Sequence, residues 1–166
     1  IFEINSTRTR ISFETAMTEL GGHAEFLSAS NLHIGDGQES MRDTAEVLSR
    51  MVDAILIRAE DDSVTKEFAK YSYCPVFDGG GMSYHPSQVI ADVFTMMEHL
   101  PGVPFSEMTV MFMGDNNNDS MFACVPVQRS LMNICAMLGM TYIACSPKEF
   151  QPTQEDIDTF WRLATE

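Results

Sequence analysis

The chain has 166 residues, 45% hydrophobic and 20% charged, with 24 acidic against 10 basic residues and a formal net charge of -14. Such an acidic surface repels nucleic acid and anionic membranes, and no apolar run approaches the ~20 residues that cross a bilayer. An anionic substrate must therefore be drawn in by a local basic pocket, against the field of the whole chain.

Ile1-Phe2-Glu3-Ile4 reads as a strand end, followed by Ser6-Thr7-Arg8-Thr9-Arg10. Phe13, Ala16, Met17 and Leu20 then recur at helical spacing, which marks one helical face, and Gly21-Gly22 supplies a stop. A strand thus runs into a helix whose first turn carries two threonine hydroxyls and two arginines. Free backbone N–H groups, the helix dipole and guanidinium forks converge there, an arrangement that suits phosphate. Capping explains one hydroxyl, but not two cations at the positive end of a dipole.

Ala24-Glu25-Phe26-Leu27 is a short strand candidate, and a polar loop runs through Asp36-Gly37-Gln38. Ser40 and Asp43 form a capping pattern for a helix with Ala45, Leu48 and Val52 on one face. Ala54 to Arg58 is an apolar, β-branched run ending in a charge, the signature of a buried parallel strand. Its Arg58 either snorkels to the surface or, beside a phosphate cradle, points into a strand-end crevice. A short helix after Ser63, a strand from Cys74 to Phe77 and the loop Asp78-Gly79-Gly80-Gly81 follow. That loop lacks the GK[ST] ending of a phosphate loop and reads as a flexible turn.

His85-Pro86 opens a helix with Pro near its first position, predicted to bury Val89, Ile90, Val93, Phe94 and Met97. Gln88 lies one turn beyond His85, and both side chains can donate to a carbonyl. Leu100 to Pro104 breaks the pattern and predicts a domain boundary, giving units over 1–101 and 105–166. A strand from Val110 to Met113 leads into Gly114-Asp115-Asn116-Asn117-Asn118-Asp119, with no GxGxxG. A helix over Ser130 to Leu138, a strand over Thr141 to Cys145 and a capped helix from Thr153 complete the succession. Strands alternating with helices predict an α/β fold of parallel sheets covered by helices. In such sheets ligands sit at the carboxyl ends of strands, where Ser6 to Arg10, Arg58, His85 and Asn116 to Asn118 all fall.

The four histidines lack metal-ligand spacing; His23 reads as structural and His99 as a dipole partner, so neither metal nor cofactor is implied. Cys74, Cys124, Cys135 and Cys145 show no CxxC spacing, which predicts reduced thiols of a cytoplasmic protein. The chain opens on Ile1 within a strand pattern and stops at Glu166 within a helical one, which predicts a piece of a longer protein.

Ser6-Thr7-Arg8-Thr9-Arg10 with Ser12-Phe13-Glu14-Thr15, Leu20-Gly21-Gly22-His23, Arg58, and His85-Pro86-Ser87-Gln88 with Ala91-Asp92 together resemble the aspartate/ornithine carbamoyltransferase family. STRTR followed at a distance by HPxQ is a specific pair. Asp43-Thr44, Leu48-Ser49 and Glu98-His99-Leu100-Pro101 are closer to ornithine and putrescine enzymes than to aspartate ones. The resemblance implies a two-domain carbamoyltransferase-like fold, its second domain truncated here, with a carbamoyl-phosphate domain followed by an amine-binding one. It implies that Ser6, Thr7, Arg8 and Thr9 hold the phosphate, and that Arg58, His85, Gln88 and Thr9 address the carbamoyl group. Asn117 and Asn118 resemble the asparagines that contact ornithine. A homotrimer is implied, with His33 on Asn31-Leu32-His33-Ile34-Gly35 reaching the phosphate from the adjacent subunit. The expected reaction carries the carbamoyl group to the δ-amine of ornithine, giving citrulline and phosphate. Putrescine or an acylated ornithine is the alternative acceptor, and a non-catalytic regulatory protein the alternative class. The long segment between Gly114-Asp115 and Ser130-Leu131, with Val125-Pro126-Val127-Gln128, resembles the acylated-ornithine branch. The family's later Asp, Ser-Met-Gly and His-Cys-Leu-Pro elements are not among these residues.

Overall fold

A computed structural model describes residues 1–32, 39–117 and 125–166. Its elements alternate as expected: α1 (Thr7–Glu19), α2 (Met41–Leu48), β1 (Ile55–Ile57), α3 (Asp62–Tyr71), β2 (Val76–Asp78), α4 (Pro86–His99), β3 (Thr109–Met113), α5 (Val125–Leu138), β4 (Thr141–Cys145) and α6 (Gln154–Leu163). β1 pairs with β2 and β3 with β4, both in parallel. The chain divides into two compact units, Ile1–Gly81 and Met82–Glu166. The sequence breaks at Leu100-Pro101, yet α4, which precedes that break, packs on α5 in the second unit. The difference arises because Val93 and Met96 of α4 join the core around Met108.

In the first unit, Ala45, Ile55, Ile57, Ala59 and Phe68 form the core. β1 pairs with β2 over three residues, and beyond it Phe2 makes single bridges to both Arg58 and Ser28. The expected strands over residues 1–4 and 24–27 therefore reduce to bridges at Phe2 and Ser28. Ser40 caps α2 by accepting from the Asp43 N–H at 3.1 Å, and Asp61 caps α3 through Ser63. Val52 falls beyond α2 and is 43% exposed, so it does not extend that helix's buried face.

In the second unit Met108, Cys135 and Met140 are buried together. Arg129 pairs with Asp156 at 3.0 Å, both largely buried, and Asp156 also closes a capping box with Thr153. These contacts tie α6 to α5. Val125-Pro126-Val127-Gln128, expected in a loop, instead forms the first turn of α5, where proline needs no amide proton.

Two apolar faces are uncovered among the described residues. No residue of α1 is buried, and Phe13, Met17 and Leu20 are exposed. On α4 only Val89 is buried, while Ile90, Phe94 and Met97 face solvent. The expectation that α4 buries Ile90, Phe94 and Met97 does not hold within this chain, while Val89 is buried and Val93 packs against the core.

Candidate functional site

α1 starts on Ser6, whose Oγ accepts the N–H of Thr9 at 3.4 Å. Thr7 and Arg8 thus occupy the first two helical positions, where N–H groups have no intrahelical acceptor. The helix ends in a Schellman pattern: the N–H of Gly21 reaches Thr18 O and that of Gly22 reaches Met17 O, with Gly21 at φ 82°. Both ends being fixed locally, α1 holds its N-terminal turn in place without a buried face.

Arg58 follows β1 directly. Its Nη1 donates to Thr9 Oγ1 at 3.3 Å and to Gly79 O at 3.0 Å. The guanidinium does not snorkel away; it reaches across to the first turn of α1. Burial pushes its pKa below the ordinary arginine value, and Asp78 opposes that shift. The sequence motif at 6–10 and the cation at 58 therefore meet in one place.

The glycine loop that receives Arg58 is tightly fitted rather than flexible. Gly79 donates to Ile57 O at 2.7 Å and Gly80 to Asp78 Oδ1 at 2.8 Å. A Cβ on Gly79 would lie 2.7 Å from Leu56 Cδ2 and 3.1 Å from Ile57 O. Gly80 adopts φ 100°, a region that strains other residues. The glycines let this turn press against β1 and aim the Gly79 carbonyl at Arg58.

The two arginines of the motif are not equivalent. Arg8 is exposed, whereas Arg10 pairs with Glu14 at 3.0 Å and stacks 3.7 Å above the Phe26 ring. Arg10 thus fastens α1 to the segment before Ser28, which sequence reading missed because Phe26 lies remote along the chain.

In the second unit, His85 sits at the N-cap of α4, with Ser87 Oγ 3.2 Å from its Nδ1. Its backbone N–H donates to the buried Ser130 Oγ at 2.8 Å. Gln88 is exposed and donates to Asp92 Oδ1 at 2.9 Å. Asn117 is exposed on the turn after β3, and Asn116 beside it is fully buried. His33 and Asn118 lie outside the described residues. His23 lies exposed beside Glu25 at 3.3 Å and takes no part in the core. Among the described residues no cluster of His, Cys, Asp or Glu could hold a metal ion.

Parallel strand pairs covered by helices, with Arg58 and Thr9 meeting beyond β1, define the class: an α/β protein. The family model for the aspartate/ornithine carbamoyltransferase carbamoyl-P binding domain matches residues 1–98. The chain belongs to the aspartate/ornithine carbamoyltransferase family. It is 43% identical to an ornithine carbamoyltransferase of Thermotoga petrophila, over all of this chain and 50% of that protein. It is 44% identical to a putrescine carbamoyltransferase of Mycoplasma mycoides subsp. mycoides, over 95% of this chain and 43% of that one. The ornithine carbamoyltransferase structure from Pyrococcus furiosus superposes with a TM-score of 0.84 at 38% identity, covering 99% of this chain and 49% of that one. The chain spans about half the length of the curated relatives it matches.

Proposed function

We propose that the chain carries the carbamoyl-phosphate site and the first part of the amine site of a carbamoyltransferase acting on ornithine. The observation that carries this reading is the bond from Arg58 to Thr9, which joins a strand-end cation to an anion-receiving helix turn. Ser6, Thr7, Arg8 and Thr9 take the phosphate, with Arg8 and the helix N-terminus receiving its charge. Arg58, Thr9, His85 and Gln88 address the carbamoyl group. Asn117 and Asn118 contact the amine substrate. His33 completes the phosphate site from an adjacent subunit of a homotrimer.

The neutral δ-amine attacks the carbonyl carbon. A C–N bond forms, the C–O bond to phosphate breaks, phosphate departs with the electron pair, and the amine nitrogen gives its proton to the departing phosphate. Negative charge builds on the carbonyl oxygen, where Arg58, His85 and Thr9 stabilise it. The leaving group is already good, so no covalent intermediate is needed. A cytoplasmic location accords with the free thiols of Cys74, Cys135 and Cys145.

Putrescine is the second reading, favoured by the relative of that name at comparable identity. Steady-state rates of the full-length protein with ornithine, putrescine and N-acetylornithine test both. Ornithine is expected to give the highest kcat/KM. A preference for putrescine selects the second reading, and turnover with none of the three overturns the transferase assignment.

The division between the two arginines gives its own test. Arg8→Ala is expected to raise KM for carbamoyl phosphate roughly 10- to 100-fold, the loss of a charge-assisted bidentate contact of about 1.5–3 kcal/mol. Arg10→Ala is expected to change it less than about threefold, because its partners are Glu14 and Phe26. Equal effects in steady-state kinetics would show that Arg10 also meets the phosphate.

A further inference from the structure

Asn116-Asn117-Asn118 offers three chemically identical side chains in a row, and their environments separate the first from the second. Asn116 has no exposed surface. Its Nδ2 donates to Gly114 O at 2.9 Å and to Ser146 Oγ at 3.0 Å. Its Oδ1 accepts from Tyr142 Oη at 3.4 Å, and its backbone N–H donates to Phe150 O at 2.9 Å. Both amide donors, the amide acceptor and the backbone donor are thereby committed within the protein.

The partners lie on two segments. Gly114 belongs to the turn after β3, while Ser146 and Phe150 belong to the stretch after β4, where Ser146 Oγ also donates to Phe150 O at 3.0 Å and accepts from Gln151 Nε2 at 3.0 Å. Tyr142 rises from β4 itself. One side chain therefore cross-links the carboxyl ends of adjacent parallel strands, the edge at which open α/β sheets take their ligands. Immediately beyond it, the Asn117 N–H closes onto Asp115 Oδ1 at 2.9 Å, and the residue is exposed. A side chain with every polar group satisfied and no surface has nothing left for a ligand, but it sets where its neighbour stands.

We propose that Asn116 is a positioning residue, whose buried amide locks the turn after β3 onto the segment after β4 and fixes the geometry at which Asn117 meets the amine substrate. This rests on the reading of Asn117 as an amine contact, and the experiment separates the two. Steady-state kinetics of the full-length protein are compared for Asn116→Ala, Asn117→Ala and the double variant. Asn116→Ala is expected to raise KM for ornithine at least tenfold, to lower kcat less than threefold, and to leave KM for carbamoyl phosphate within twofold. A purely structural role would move both KM values or the active fraction instead. Because Asn116 acts through Asn117, the double variant is expected to be no more than twofold worse than Asn117→Ala alone.

An effect of Asn117→Ala without one from Asn116→Ala overturns the positioning role and leaves the amine reading standing. Multiplying effects overturn it too, since the two residues then act independently. No effect from Asn117→Ala removes the amine contact, and this inference with it. Should Asn116→Ala fail to fold, Ser146→Ala decides. It deletes the acceptor 3.0 Å from Asn116 Nδ2, and a three- to tenfold rise in ornithine KM supports the role, whereas an unchanged KM overturns it.

Discussion

Arg58→Ala in the full-length protein is expected to yield a folded enzyme with turnover reduced roughly a hundredfold or more, since one preorganised oxyanion donor supplies ~3 kcal/mol of transition-state stabilisation. The guanidinium is half-buried and held by Gly79 O and Thr9 Oγ1. Its preorganisation is structural: β1 delivers the residue, the glycine turn anchors one side and α1 receives the other. Arg58→Lys should recover little, because an ammonium is a point charge without the planar fork that bonds two acceptors at once. Turnover with saturating substrates, read beside the urea unfolding midpoint, separates catalysis from stability. Retention of more than about a tenth of wild-type kcat would place the oxyanion elsewhere.

Legibility in the sequence followed the range of the physics. β4 was readable to the residue because Thr141 to Cys145 is a β-prone, mostly apolar run behind Gly139, and the observed strand has those ends. The start of α1 was readable because a capping hydroxyl at Ser6 and the helix it opens lie within a few positions of each other. Arg58 was readable only in combination, since its direction depends on what lies beside the strand end.

Long-range contacts hid the rest. Glu14, four residues after Arg10, was a local sign that separates it from Arg8; the ring of Phe26 beneath Arg10 was not legible. Likewise Asn116 and Asn117 differ only by the segment after β4 that encloses one of them. The glycines at 79–81 suggested looseness, because composition reports conformational freedom and not the close passage of β1, which crowds a Cβ at Gly79. Apolar periodicity on α1 and α4 reported which face is greasy, and periodicity carries no information about what packs on it.

The same strand that carries Arg58 is held from beneath by Phe68, which is 1% exposed in the core with Ala45, Ile55, Ile57 and Ala59. Phe68→Ala is expected to destabilise the protein by about 3–5 kcal/mol, combining lost transfer energy with an unfilled cavity. Relaxation does not readily fill it: Ile57 and Val64 already line a small cavity with Phe68, so collapse would have to drag β1 toward α3. Set against a typical stability of about 5–15 kcal/mol, that loss brings the first unit near its threshold. Phe68→Leu should cost far less, about 1 kcal/mol, as a substitution closer in volume. Urea denaturation measures both, and hydrogen exchange should show the lost protection concentrated in β1 and α3. Because Arg58 directly follows this strand and bonds Thr9 of the proposed phosphate turn, carbamoyl phosphate should restore stability as RT ln(1 + [L]/Kd), about 2.7 kcal/mol at a hundredfold excess over Kd. A loss under about 1 kcal/mol in Phe68→Ala would mean that β1 is not supported from this core. A full loss that carbamoyl phosphate fails to offset would separate the fold of this unit from its proposed ligand.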